Sequence, residues 1–212
     1  MKQAIDTFKL NIDSVKQLDT IYQYLEQNNI KTLDLSELLR AEIVSAVSAL
    51  DSFISDILHI GLLEIFEKKR IIPPDSLKYF NEFQLDMESL IQIIDAQDSN
   101  EKSLILGKYI RKANSRNTYQ DPRKIESALN LLGIRQLWSK LGADLSIKAE
   151  DLKKELASIV WQRNKIAHEA DFDHLIQSKR PRDRASTLHA ISFIEKLCMG
   201  IYTIVNKETE KK

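Results

Sequence analysis

The stretch Ser36-Glu37-Leu38-Leu39-Arg40-Ala41-Glu42-Ile43-Val44-Ser45-Ala46-Val47-Ser48-Ala49-Leu50-Asp51-Ser52-Phe53-Ile54-Ser55-Asp56-Ile57-Leu58-His59-Ile60 decides the fold. Its apolar residues Leu39, Ile43, Ala46, Leu50, Phe53, Ile57 and Ile60 return every three or four positions, the period of a helix with one buried stripe. Ser36 is the candidate N-cap, and the pattern runs on to about Lys69. Ile71-Ile72-Pro73-Pro74-Asp75 then ends it, because proline has no N–H to continue the ladder and drives its predecessor toward extended geometry. A helix this long is the expected backbone of the fold.

Working outward, Val15, Leu18, Ile21, Tyr22 and Leu25 keep helical spacing in a segment from about Ile12 to Gln27. After the proline break, Ser76 to Asp95 reads as a less regular helix and Glu101 to Ala113 as a regular one through Leu104, Ile105, Tyr109 and Ile110. Asn114 to Asp121 has no apolar period and reads as a polar loop. Asp121 and Pro122 then suit a cap and first helical residue, with Gly133 as terminator of the helix carrying Ile125, Leu129 and Leu132. A short helix with Leu137, Trp138 and Leu141 is expected to stop near Gly142. Two long helices, about Lys148 to Ala170 and Arg184 to Asn206, close the chain across a polar, basic connection around Ser178 to Arg182. No strand-period alternation of useful length and no internal repeat is present.

The expected fold is therefore all-α, a bundle of long antiparallel helices with shorter additional ones. We read residues 1–212 as a single helical domain, with 1–35 as an N-terminal helical extension and 207–212 as a charged tail. A content of 43% hydrophobic and 29% charged residues is that of an ordinary globular domain, and 5 Gly and 4 Pro are few for a fold built on tight turns. No run of consecutive apolar residues reaches bilayer length and the first residues lack a signal-peptide core, so the expected location is the cytoplasm, without a membrane. Cys198 stands alone and reads as a core residue. Formal net charge is zero, so a polyanion would have to meet a local patch. Two such patches stand out: Arg111, Lys112, Arg116, Arg123 and Lys124, and Lys179, Arg180, Arg182 and Arg184. Each is read either as a nucleic-acid contact or as solvated loop charge.

The chemistry concentrates on the helix of Leu152, Leu156 and Ile159, whose stripe continues to Arg163 and Ile166. A guanidinium in an apolar stripe needs an anionic partner, since it cannot deprotonate and its donors are costly to bury unpaired. Asn164 and His168 lie about 100° and about 140° around the helix from Arg163, so all three can line one cleft. This set suits metal-free phosphodiester cleavage. An imidazole moves protons near neutral pH, a guanidinium fork stabilises a phosphorane, and an amide orients the phosphate or the imidazole. A two-fold dimer would supply the second histidine that an acid and a base require. The competing reading is a structural Arg163 paired with a buried acid. Asp51, a carboxylate on a flank of Val44, Val47, Ile54 and Leu58, is the first candidate partner, followed by Glu42 and Asp56, and the bland reading of Asp51 is a solvated residue at the core edge. His168, Asp171 and His174 match no strong zinc or iron spacing, and no metal or other cofactor is expected. His59 and His189 read as packed or surface residues. Trp161 and Tyr119 stand where each could stack a base.

Trp161-Gln162-Arg163-Asn164-Lys165-Ile166-Ala167-His168 resembles the R-N-x-x-x-H signature of HEPN domains. Ala49-Leu50-Asp51-Ser52-Phe53-Ile54 and the segment from Ile125 through Gly133-Ile134 to Trp138 are similar to features of the RiboL-PSP type. The resemblance covers roughly Ser36 to Lys196. It implies a helical bundle, commonly a homodimer with a composite site, and metal-independent endoribonuclease activity leaving 2′,3′-cyclic phosphate and 5′-hydroxyl ends. Arg163 and His168 become catalytic and Asn164 supporting, with Asp51 behind them and Lys165, Arg116, Arg123, Lys124, Lys179, Arg180 and Arg182 as RNA contacts. The expected partners are RNA, a second copy, and an antitoxin or other defence-system protein, as in toxin–antitoxin or anti-phage systems. The alternative is a catalytically silent HEPN-like module that binds RNA or protein. Glu169, directly after the motif, departs from the pattern of many relatives, and an acid there would raise the imidazole pKa or repel phosphate.

Overall fold

A computed structural model describes residues 1–30, 32–71 and 86–210, with side chains to Lys207. Among these residues the helices are α1 (Lys2–Gln27), α2 (Ser36–Phe66), α3 (Met87–Asp95), α4 (Ser99–Asn114), α5 (Pro122–Leu131), α6 (Leu137–Leu145), α7 (Ala149–Glu169) and α8 (Arg184–Glu210). Two-residue strands β1 (Phe172–Asp173) and β2 (Ser178–Lys179) form one antiparallel hairpin between α7 and α8. The fold is all-α, as expected. The hairpin has no sequence signal because a two-residue strand is too short to show alternation. The Pro73-Pro74 break and the first half of the helix expected from Ser76 to Asp95 lie outside the described residues, and α3 falls in the half that is described.

α2 is the central helix. α1, α4, α5, α7 and α8 all pack on it, and Leu39, Ile43, Ala46, Leu50, Phe53 and Ile57 are buried along its length. α1 belongs to the same core: Ala4, Ile5, Phe8, Ile12 and Val15 are buried, and the Phe8 and Phe53 rings lie 5.2 Å apart. α1, in the segment read from sequence as an N-terminal helical extension, thus supplies one wall of the bundle. Cys198 is fully buried in α8.

Helix ends follow their capping chemistry with two corrections. Asp86, Asp98 and Asp121 each accept a first-turn backbone N–H, and Pro122 takes the first helical position after Asp121. Ser36, however, is the first helical residue and not the cap. Its N–H and hydroxyl both donate to Asp34 Oδ1, at 3.0 and 2.6 Å, so Asp34 does the capping. Gly133 has a φ of 80°, the left-handed conformation expected of a terminator. Gly142 does not end α6, which runs to Leu145 and turns at Ser146 with a φ of 55°. Gly142 is needed for close approach instead, since a Cβ there would lie 2.6 Å from the Ile147 carbonyl oxygen.

Two helices, Ser36–Phe66 and Arg184–Lys207, do have the length and mean hydropathy of a membrane span. Counting consecutive apolar residues misses this, because small and polar residues interrupt runs without lowering the mean far. Both are inner helices of the bundle and pack against each other.

Candidate active site

α7 buries Leu152, Leu156 and Ile159, but the stripe leaves the core at its last two turns, where Arg163 and Ile166 are half-buried. Arg163 therefore stands on the rim. Its Nη1 donates to Asn164 Oδ1 at 3.0 Å, while its Nε is buried without a hydrogen-bond partner. Asn164 and His168 are exposed, His168 in the last turn of the helix. The three residues thus share a helix end open to a ligand.

The expected Arg163–Asp51 ion pair is not made. Asp51 instead accepts the Tyr119 N–H at 2.6 Å on Oδ1 and the Gln120 Nε2–H at 2.8 Å on Oδ2, which pins the loop after α4 against α2. The two residues still line one open, shallow cavity of about 280 Å³, together with Ser48, Ser52 and Ser55. Among the described residues no carboxylate comes within ion-pair distance of Arg163, so its burial is answered by an amide and by open cavity. Glu42 is fully buried with both carboxylate oxygens unpartnered, and burial, reinforced by Asp19, pushes its pKa up to about 7. Asp56 faces Arg111 at 3.8 Å, and burial raises its pKa.

A second carboxylate fixes the motif helix. Ala170 and Asp171 both take left-handed φ values, 50° and 57°, and turn the chain off α7. Asp171, with no exposed side-chain surface, accepts from Arg182 Nε and Nη2 at 2.8 Å each and from Arg40 Nε at 3.0 Å. Burial works to raise its pKa, but the hydrogen bonds and charges of Arg182 and Arg40 prevail and lower it. Arg40 also donates through Nη2 to the Arg180 carbonyl at 2.7 Å. The end of α7, the hairpin and the first turns of α2 are thereby tied at one buried point. This use also removes Asp171 from any metal set with His168 and His174.

A family model described as RiboL-PSP-HEPN matches residues 9–207. The chain belongs to the RiboL-PSP-HEPN family. No curated protein and no solved structure matches it. The match takes in α1 from Lys9 onward and runs into the last turn of α8.

In this RiboL-PSP-HEPN domain the cations singled out from sequence take different positions. Lys165 Nζ and Arg180 Cζ lie 5.6 and 5.7 Å from the Trp161 ring centroid, and Trp161 is 52% exposed, so two cations and an open indole share the face beside the motif. Arg116 is exposed between Ser115 and Asn117, which both line the cavity. Arg123 is exposed and reaches Asp121 at 3.4 Å, and Lys124 reaches the Thr118 hydroxyl at the same distance. Lys179 pairs with Glu37 at 2.5 Å. Arg182 departs from the expectation of an outward cation, since Asp171 and the Gln162 side chain take up its guanidinium. Tyr119 departs as well. It is 7% exposed, its hydroxyl donates to Asn114 Oδ1 at 2.9 Å, and its ring is not offered for stacking.

Glu169 gives its carboxylate to Lys165 at 2.6 Å, and that hydrogen bond holds its pKa below the usual value. The acid after the motif is thus directed at Lys165, one turn back. Sequence reasoning passed over Arg40, Asn114 and Gln120. Arg40 sits among surface-like charges in sequence, and Asn114 and Gln120 lie in a loop with no period, so only the fold brings them to the site.

Proposed function

We propose that this chain is a metal-independent endoribonuclease that cuts RNA to 2′,3′-cyclic phosphate and 5′-hydroxyl ends at a composite site of a homodimer. The observation that carries the reading is the state of the motif: His168 is exposed and Arg163 keeps an unpartnered buried Nε. A silent module would be expected to bury the histidine and consume the arginine internally.

In the reaction His168 of one copy removes the 2′-hydroxyl proton, O2′ forms a bond to phosphorus, and the bond to O5′ breaks as the second histidine protonates that oxygen. Arg163 aims its fork at the non-bridging oxygens, where negative charge develops. Asn164, hydrogen-bonded to Nη1, sets the orientation of that fork. Trp161 on the motif helix, 52% exposed, and Leu175 and Ile176 in the hairpin that follows it, 95% and 59% exposed, supply open apolar surface that supports docking of a second copy. Lys165, Arg180, Arg116, Arg123 and Lys124 are the cations that meet the RNA backbone, Lys165, Arg180 and Arg123 by exchanging the carboxylates of Glu169, Asp173 and Asp121 for phosphate. The family and this chemistry fit a role in the cytoplasm in toxin–antitoxin or anti-phage defence, with an antitoxin or defence-system protein as partner.

The test is metal-free incubation of wild type and His168→Ala with mixed tRNA and mRNA, mapping cut sites and end chemistry. Cyclic-phosphate ends that require His168 and survive EDTA are expected. Equal cleavage by His168→Ala, or activity that EDTA abolishes and a divalent metal restores, would overturn the mechanism.

A further inference from the structure

The cavity between Arg163 and Asp51 has a lining that the cleavage chemistry does not use. Ser48, Ser52 and Ser55 project from one face of α2, spaced by four and three residues. Asn114, at the end of α4, lines the same cavity. It is only 4% exposed, its Oδ1 is taken by the Tyr119 hydroxyl, and its Nδ2 has no hydrogen-bond partner. A buried amide donor left open in this way costs free energy unless something accepts from it. Arg163 Nε is a second such donor on the same cavity.

The charge pattern selects the class of ligand. Arg163 is positive and Asp51 negative, and Asp51 already holds two N–H donors, so beyond the phosphate that Arg163 takes, the cavity suits a neutral group rich in acceptors. About 280 Å³ lies just under the size of drug-sized sites and accommodates one heterocycle. No exposed aromatic ring lines it, so recognition there runs through hydrogen bonds and not through stacking.

We infer that this cavity holds the base of a nucleotide flanking the scissile phosphate, with Asn114 Nδ2 and the α2 serines reading its hydrogen-bonding edge. The inference rests on the ribonuclease reading of the site. Asp51 acts as a positioning residue: it fixes Tyr119 and Gln120, and Tyr119 in turn holds the Asn114 amide through its Oδ1, which leaves Nδ2 as the donor without a partner. A base that presents an acceptor to Asn114 is favoured over one that presents a donor, because the mismatch leaves both partners unpaired.

The four nucleoside 3′-monophosphates and inorganic phosphate would be titrated into isotope-labelled full-length protein, following the Asn114 side-chain NH2 resonances. One base is expected to bind about tenfold or more tightly than the least favoured base and than phosphate, and Ser52→Leu, which fills the cavity from an exposed position, should erase that difference. Equal shifts from phosphate alone, equal binding of all four bases, or no shift at Asn114 would each overturn the proposal. Cut-site mapping separates the two readings. Base-selective binding without any cleavage leaves the pocket standing and fails the ribonuclease. Cleavage whose base preference is the same in wild type, Ser52→Leu and Asn114→Asp keeps the ribonuclease and overturns the pocket.

Discussion

Asp171 receives the Arg182 guanidinium through two hydrogen bonds of 2.8 Å with none of its side chain exposed, eight residues after the arginine of the motif Arg163-Asn164-x-x-x-His168. The pair, with Arg40, is what holds the end of the motif helix against α2. Breaking one partner of a buried pair strands the other charge, so Asp171→Asn is expected to cost about 3 kcal/mol or more. Because the folded-state pKa of Asp171 is lowered, its contribution is present above its ordinary value of 3.8 and is lost as pH falls through the folded value. Urea denaturation at neutral pH and below pH 3.8 checks both statements. An unchanged midpoint at neutral pH would refute the structural role.

Arg163→Lys keeps the charge and removes the planar fork. Cleavage is expected to fall by about a hundredfold or more, the scale of losing one preorganised donor to a developing oxyanion. Asn164→Ala should fall less, since Asn164 acts through Arg163 Nη1. His168 is exposed, so His168→Ala should leave stability within about 0.5 kcal/mol. Single-turnover cleavage beside thermal melts separates chemistry from folding, and a strongly lowered melting point for His168→Ala would contradict the exposed placement.

Glu42 makes the opposite pH prediction. It is fully buried on α2, facing Asp19 and Tyr22 of α1 and Arg184 of α8, and Arg184 Nε and Nη2 are already given to Asp19 at 2.6 and 2.9 Å. Its pKa rises from 4.5 to about 7, so the protonated form is the stable one in the fold. Stability from this site is full below pH 4.5 and declines as pH rises to about 7, by on the order of 3 kcal/mol. The lowered pKa of Asp19 works in a separate window, below its ordinary 3.8. Glu42→Gln should flatten the profile between pH 4.5 and 7 and raise stability at pH 8, and a profile identical to wild type would sink this assignment.

Gly142→Ala tests the close approach of α6 and α7. Alanine inside a helix ordinarily gains about 1 kcal/mol over glycine. Here the new Cβ would stand 2.6 Å from a backbone oxygen of Ile147, which cannot swing away as a side chain can. A net loss of about 1–3 kcal/mol is expected, read as a lower thermal midpoint. A gain would show that the turn after α6 yields freely.

Much of this architecture is legible in one chain. Six of the seven apolar positions read from the α2 period are buried, and Ile60 is packed at the core margin. Gly133 and the Asp121-Pro122 pair sit where capping chemistry puts them, because these signals act within a few residues of chain. The failures have the same local origin. Ser36 and Asp34 are both good caps two residues apart, and propensity alone does not rank them. Gly142 looks like a stop signal until Ile147 is seen folded back over it.

The residues Arg163, Asn164 and His168 were chosen from sequence because the period of a helix fixes their relative angles whatever surrounds them. What surrounds them depended on contacts far apart in the chain. Asp51 goes to Tyr119 and Gln120, 68 and 69 residues on, and Asp171 goes to Arg40, 131 residues back. A carboxylate's partner is decided by which donor the packed helices bring within 3 Å, and no one-dimensional spacing carries that distance. The sequence by itself therefore determined the helices, the central place of α2 and the motif. The tertiary structure alone decided that Arg163 keeps a donor without a partner, that Arg182 is spent inward, and that Asn114 lines the same cavity as Arg163.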